Sequence, residues 1–108
     1  MATINWRLLV SYDEIAGNGS RYWFLDGIER IGGFQARPVI TLMAYPLGLN
    51  TQAVNGVLPE RRVEVTDVFI LAKRRTINDP ELFQLNFRVH NLTDSWFSYS
   101  VMMGMIMS

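Results

Sequence analysis

The apolar residues of this chain alternate with polar ones over long stretches instead of recurring every three or four residues. Residues 4–10 carry an apolar side chain at every second position, and residues 83–90 repeat the pattern with polar side chains between. A period of two is typical of a half-buried β-strand, whereas an amphipathic helix has a period of 3.6. The pattern therefore predicts β-strands and no amphipathic helix.

Four further segments are also typical of strands, and turns rich in Gly, Asn and Pro separate them. Pro46 and Gly48 are expected to end the strand that begins at Val39. In the next strand the alternation fails after Asp67, which predicts a β-bulge there. The four predicted strands are Arg21–Leu25, Val39–Tyr45, Arg62–Lys73 and Phe97–Met107.

About six strands in 108 residues predict an all-β chain that folds as one domain, residues 1–108. We expect a small antiparallel β-sandwich, with a small barrel as the alternative. Residues 47–60 are rich in Gly, Asn and Pro and predict a long loop or a loose hairpin. A chain of this length buries only roughly 60–65% of the surface that it exposes when unfolded, so association with other copies would add stability.

The last predicted strand changes character along its length. It begins with serines on one face and ends in a Met-rich segment that is apolar on both faces. Because methionine fills irregular gaps well, we expect this end to be fully buried, either in the core or against another subunit.

The charge balance limits the classes of partner. Lys plus Arg is 10 and Asp plus Glu is 10, so the formal net charge is zero. Nucleic-acid-binding domains need a basic face and peripheral membrane anchors need a basic patch. We therefore predict neither nucleic-acid binding nor membrane insertion. A near-neutral surface also favours self-association.

Targeting signals are not evident in the sequence. The first ten residues, MATINWRLLV, lack the basic region and the long apolar region of a secretion signal. We expect a cytoplasmic protein or one released by a non-classical route. Asn18-Gly-Ser and Asn91-Leu-Thr match the N-glycosylation pattern, and without a signal peptide we interpret both as chance matches.

Residues that could carry catalysis occur without the partners that they need. The chain has no cysteine and a single histidine, His90, so thiol catalysis, disulfides and histidine-cluster metal sites are excluded. The serines of the last strand alternate along it and lack a nucleophile-elbow pattern. No glycine-rich phosphate loop precedes a helix. We predict that the protein is not an enzyme and holds neither a cofactor nor a metal.

Polar side chains displayed beside aromatic ones on strands can bind neutral sugars. Arg, Asn, His and Asp hydrogen-bond to vicinal hydroxyls, and an aromatic ring stacks on the C–H face of the sugar. Such a site needs neither net charge nor a catalytic pKa. His90 lies at the end of an alternating strand, just before the predicted turn Asn91–Ser95. That position is also typical of an ordinary surface histidine.

Three segments between Phe34 and Ile106 point to a family. FQARPVITLMAY places an aromatic residue, a proline and an apolar strand in that order. RVEVTDVFILAKRRT opens with Arg-Val and leads into a turn, and LFQLNFRVHNLTDSWFSYSVMMGMI has a histidine, a short turn and a Tyr-Ser alternation. In these features the second half of the chain resembles the H-type lectin family, which includes snail agglutinins and discoidin-type domains.

The resemblance implies a six-stranded antiparallel sandwich that assembles as a trimer, sometimes as a dimer of trimers. It also implies binding of N-acetylgalactosamine or galactose in clefts between subunits. Val89 stands where the family has an aromatic residue, so Trp96, Phe97 or Tyr99 would have to supply the ring. The family's acid-bearing loop would fall near Asn18–Ser20, where no carboxylate stands. The implied sugar-binding residues are Arg62, His90, Asn18, Trp96 and Tyr99.

Two other functions stay open. A structural or assembly module, such as a virion or tail-fibre subunit or a receptor-binding tip without sugar affinity, would account for the Met-rich strand and the long loop. An apolar-ligand carrier would need a barrel, and six strands leave little room for a cavity. The sequence thus predicts a carbohydrate-binding lectin first and an assembly module second.

Overall fold

The computed structural model describes residues 3–28, 39–49 and 60–107, and six β-strands make up most of these ranges. All six predicted strands are present, so the all-β class is confirmed. Most of the loop predicted at 47–60 lies outside the described residues. The strands are β1 (Thr3–Ile15), β2 (Ser20–Asp26), β3 (Val39–Leu49), β4 (Val63–Lys73), β5 (Leu82–Asn91) and β6 (Phe97–Met107).

The strands pair into two antiparallel sheets of three. Sheet A has the order β1–β6–β3, and sheet B has the order β2–β5–β4. The last two strands of the chain, β5 and β6, are therefore the two central strands. Because the described strands form two separate sheets with apolar inner faces, the sandwich prediction is supported and the barrel alternative is not.

The predicted bulge in β4 is confirmed. The pairing of β4 with β5 shifts between Thr66 and Phe69, and Asp67 has a φ of 54°. Asp is among the residues that tolerate this left-handed conformation, because its short side chain hydrogen-bonds locally. The extra residue resets the alternation, so Phe69 and Leu71 lie on the same outer face as Thr66.

Two other features of the strands differ from the prediction. The register of β1 shifts on either side of Val10, and Tyr12 has a φ of 54°, although the sequence predicted no bulge there. Strand β3 also continues through Pro46 to Leu49 instead of ending at Pro46. Proline is tolerated because β3 is an edge strand of sheet A, and the register with β6 shifts just after it.

The core lies between the two sheets, and the central strands supply most of it. The inward positions of β5 and β6 are almost inaccessible to solvent, and a few residues of β1 complete the layer. The buried apolar residues of these three strands are Leu85, Phe87, Val89, Phe97, Tyr99, Val101, Met103, Met105, Val10 and Ile15.

The Met-rich end of β6 is buried on one face only. Met103 and Met105 pack in the core, as one of the two alternatives expects. On the opposite face Met102 is partly exposed and Ile106 is 44% exposed. Full burial is therefore not reached within one chain.

Candidate binding site at the turn end of the sandwich

A buried asparagine organises one end of the sandwich. The Asn91 side chain is completely buried, and its Nδ2 donates to the carbonyls of Ile15 at 3.5 Å, Ala16 at 3.1 Å and Ser95 at 2.7 Å. Its Oδ1 accepts from the backbone N–H of Thr93 at 2.9 Å and from the Thr93 hydroxyl at 2.7 Å. One side chain thus fixes two loops, 16–19 and 92–96, and we call this region the turn end.

Backbone hydrogen bonds draw a third segment to the turn end. The N–H of Asn18 donates to the Thr93 carbonyl at 2.8 Å, and the N–H of Leu92 donates to the Arg62 carbonyl at 2.9 Å. Loop 16–19, loop 92–96 and the start of β4 are therefore joined. Asn18 and Arg62 belong to the joined segments, and His90 directly precedes the asparagine that anchors them.

His90 lies on the outer face of sheet B, in register with Ser20 of β2 and Glu64 of β4. Its Nδ1 is 2.8 Å from the Ser20 Oγ and 3.4 Å from Nη2 of Arg88. The Ser20 Oγ also accepts from Nε of Arg88 at 3.1 Å. Because a guanidinium only donates, this network favours an unprotonated Nδ1 that accepts from the serine hydroxyl. In the neutral ring the proton then lies on Nε2, which makes no hydrogen bond to any described residue.

A carboxylate that the sequence did not predict completes this cluster. The Nδ2 of Asn18 donates to Oδ1 of Asp94 at 2.7 Å, and both side chains are exposed. Asn18 has a φ of 57°, a conformation that asparagine tolerates well. Gly17 is needed beside it, because a Cβ there would lie 2.3 Å from the carbonyl oxygen of Asp94. The sequence contains no local signal for this pair, since 76 positions separate its members.

The remaining predicted residues fall in different places. Arg62 is exposed at the start of the turn end, and its guanidinium makes no hydrogen bond to the described residues. Trp96 is exposed in loop 92–96, close in sequence to Asp94. Phe97 and Tyr99 are completely buried, so neither ring can stack on a ligand at the surface.

Tyr99 instead ties the two sheets together. The indole N–H of Trp23 in sheet B donates to the Tyr99 hydroxyl at 2.8 Å, and that hydroxyl donates to Oδ2 of Asp13 at 2.8 Å. Burial, reinforced by the hydrogen bond to Asp13, raises the pKa of Tyr99. Arg21 lies 3.6 Å from the same carboxylate oxygen. We therefore leave Tyr99 out of the candidate site.

An exposed aromatic ring lies next to His90 on the outer face of sheet B. Tyr22 is 75% exposed, pairs in register with Arg88, and has the Arg88 guanidinium 6.0 Å from its ring centroid. Along β2 it lies two residues beyond Ser20, or roughly 7 Å from the position opposite His90. Tyr22 was not among the residues predicted from the sequence, although the alternation in β2 would have separated it from the inward-facing Trp23.

The chain matches no protein-family model, no curated protein and no solved structure. Within residues 3–28, 39–49 and 60–107, no helix is long and apolar enough to cross a membrane. A function for this chain therefore has to follow from its own geometry.

Proposed function

We propose that this chain is a carbohydrate-binding lectin whose sugar site lies at the turn end. The observation that carries the proposal is the convergence of Arg62, His90 and the Asn18–Asp94 pair at one end of one sheet. These groups offer guanidinium and imidazole donors together with a carboxylate acceptor. Such a mixture hydrogen-bonds to adjacent hydroxyls, each of which both donates and accepts.

The site is also suited to a neutral ligand. The chain has no net charge, and Tyr22, on the same face as His90, and Trp96, two residues after Asp94, offer exposed aromatic surface. An aromatic face packs against the C–H face of a sugar ring. By the resemblance to H-type lectins, the ligand is N-acetylgalactosamine or galactose, and the protein is a trimer with each site completed by a neighbouring subunit.

Linked copies would explain how a small, exposed site holds a cell-surface glycan. Several weak sites on one oligomer raise the effective affinity without any new contact. The outer face of sheet A gives a reason for assembly, because Trp6, Leu8 and Ile106 are exposed there in the single chain.

The decisive experiment is a glycan array on native protein and on two arginine variants. Arg62→Ala is expected to lower binding of galactose-type glycans at least tenfold, because a charge-assisted hydrogen bond to the sugar is lost. Arg75→Ala is the matched control, since Arg75 is equally exposed beyond the far end of β4. Circular dichroism confirms that both variants fold. A blank array for native protein, or an Arg62→Ala variant that binds as well as native, rejects the proposal.

The second candidate is an assembly module without sugar affinity, and the apolar outer face of sheet A favours it. Trp6 is 56% exposed and Leu8 is 50% exposed, and neither contributes to the turn end. A blank array combined with a stable oligomer in light scattering would select this alternative.

A further inference from the structure

The second half of β4 is an apolar strand that stays about half exposed in the described part of the chain. After the bulge at Asp67, residues 68–71 are all apolar and are between 42% and 54% exposed, and Ala72 is exposed as well. These residues alternate between the two faces of sheet B, so both faces are open. We call Val68–Ala72 the open edge.

Among the described strands, the backbone of the open edge also has one side without a partner. Strand β4 is at the edge of sheet B, with β5 on one side only. Within the described part of the chain, no loop forms a backbone hydrogen bond to any residue of Val63–Lys73. Natural edge strands are guarded by charges, prolines or bulges, because unpaired backbone groups attract another strand. In β4 such features are present only at the two ends of the open edge, where the bulge at Asp67 and the basic run Lys73–Arg75 lie.

We propose that the open edge pairs antiparallel with the open edge of a second copy of this chain, about a two-fold axis at Ile70. In this register Phe69 faces the second copy's Leu71, and Val68 faces its Ala72. Asp67, whose Oδ2 already lies 3.6 Å from Nη1 of Arg88 in its own chain, then stands opposite the second copy's Lys73 at both ends of the ladder. No other register aligns the five apolar residues entirely with one another.

Self-complementarity favours a second copy over an unrelated strand. Moving the register by one residue in either direction sets an apolar residue opposite Asp67 or Lys73. The two-fold register avoids this and matches opposite charges at both ends, the arrangement that stabilises cross-strand pairs. An interface of this kind uses the same patch on both subunits.

The pairing would join two copies of sheet B into one six-stranded sheet. With a two-fold axis perpendicular to the sheet, the outer faces of the two copies of sheet B lie on the same side of the joined sheet. Both His90 side chains would therefore lie on that side. His90 lies five residues along β5 from Leu85, the register partner of Ile70, and the two copies run in opposite directions. The two turn ends would then be roughly 35 Å apart along the strands at ~3.4 Å per residue. This spacing matters for glycans only under the proposed function, whereas the pairing itself does not depend on sugar binding.

The first test is the mass of the protein in solution, measured by light scattering after gel filtration. Ile70→Lys sets two like charges opposite each other at the two-fold axis, and we expect the mass of the assembly to fall by half. Ile77→Lys is the matched control, because Ile77 is 82% exposed in the turn after β4 and should leave the mass unchanged. A mass that does not change in Ile70→Lys overturns the proposal.

The second test does not depend on how well the lysine variant folds. The chain has no cysteine, so Ile70→Cys would carry the single thiol of each copy. Directly opposed residues in antiparallel strands have Cα atoms about 4.5–5.5 Å apart, within the range that a disulfide bridges. Mild oxidation should give a covalent dimer of Ile70→Cys and none of Ile77→Cys. If Ile70→Cys stays monomeric on a non-reducing gel, the pairing is wrong. A blank glycan array would reject the lectin proposal and leave both of these results intact.

Discussion

The turn end and the open edge both include residues of sheet B, yet they differ in backbone hydrogen bonding and in the exposure of their apolar side chains. At the turn end the loops hydrogen-bond to one another, and the buried Asn91 side chain hydrogen-bonds to the backbone groups around it. At the open edge the backbone has one side without a partner among the described strands, and the side chains are apolar and exposed on both faces.

The difference separates two tasks on one sheet. A site that is fixed by bonds within the chain holds its geometry before any partner arrives, which is what small-ligand recognition requires. An edge that leaves its backbone unpaired is completed only by another strand. Changes at the turn end should therefore alter stability and ligand binding, whereas changes at the open edge should alter association.

The largest expected effect comes from breaking the turn end at its centre. Asn91→Ala removes the five hydrogen bonds of a completely buried amide, including the one from the Thr93 N–H and the one to the Ser95 carbonyl, so we expect the free energy of unfolding to fall by about 3–4 kcal/mol. Urea denaturation measures the loss. Asn86→Ala is the control, because the Asn86 amide is only partly buried and donates to a single carbonyl, at 3.2 Å. Equal losses in the two variants would contradict the central role of Asn91.

A smaller effect is expected at Tyr99, which joins the two sheets. Tyr99→Phe removes the hydroxyl that joins Trp23 to Asp13, and we expect a loss of about 2 kcal/mol at neutral pH.

The same residue predicts a dependence on alkaline pH. The pKa of Tyr99 is raised in the folded chain, whereas an unfolded tyrosine has a pKa near 10. The stabilisation from the protonated hydroxyl is thus complete below about pH 10 and is lost above it, by up to about 1.4 kcal/mol per pH unit. Denaturation curves between pH 9 and 11.5 should show a shallower pH dependence in Tyr99→Phe. Parallel pH dependences in the two proteins would disprove this account.

The smallest effect is expected at the other end of the sandwich from the turn end. The Trp6 ring lies over Gly104 on the outer face of sheet A, and a Cβ at Gly104 would stand 2.6 Å from it. Because Trp6 is half-exposed and can swing outward, Gly104→Ala should cost only about 1 kcal/mol. In a Trp6→Ala background the same change should cost nothing. If Gly104→Ala lowers the free energy of unfolding equally in that background, the backbone at residue 104, and not the Trp6 ring, requires glycine.

The sequence predicts the strands well because sheets impose a short period. Alternation marked four of the six strands, and its failure after Asp67 marked the bulge. The other two, β2 and β3, were predicted from a short aromatic run and from an apolar segment between turns. The bulges of β1 were missed because Leu8, Leu9 and Val10 are all apolar, which hides a change of phase. The end of β3 was misplaced because the sequence cannot say whether a strand is at an edge, where Pro46 is tolerated.

The candidate site is less accessible to sequence reasoning because its bonds join distant residues. Arg62, His90 and Asn18 were named from a resemblance, and the structure places them at one end. Asp94 was missed because its partner is 76 positions away, and Asn91 was predicted only as the first residue of a turn and as a chance glycosylation match. Its amide is buried and fully used within the fold.

The position of β6 in the middle of sheet A has a consequence for the order in which the protein is made. Both neighbours of β6 are synthesised before it and do not pair with each other, whereas all three strands of sheet B precede it. Chains emerge from the ribosome with the N-terminus first, and sheet A needs its first strand to meet its last. All three strands of sheet B have therefore been synthesised while β1 and β3 still lack β6, the strand with which both of them pair. A nascent chain that stops before Phe97 loses not one strand in six but the whole of sheet A, and with it the cover over the inner face of sheet B.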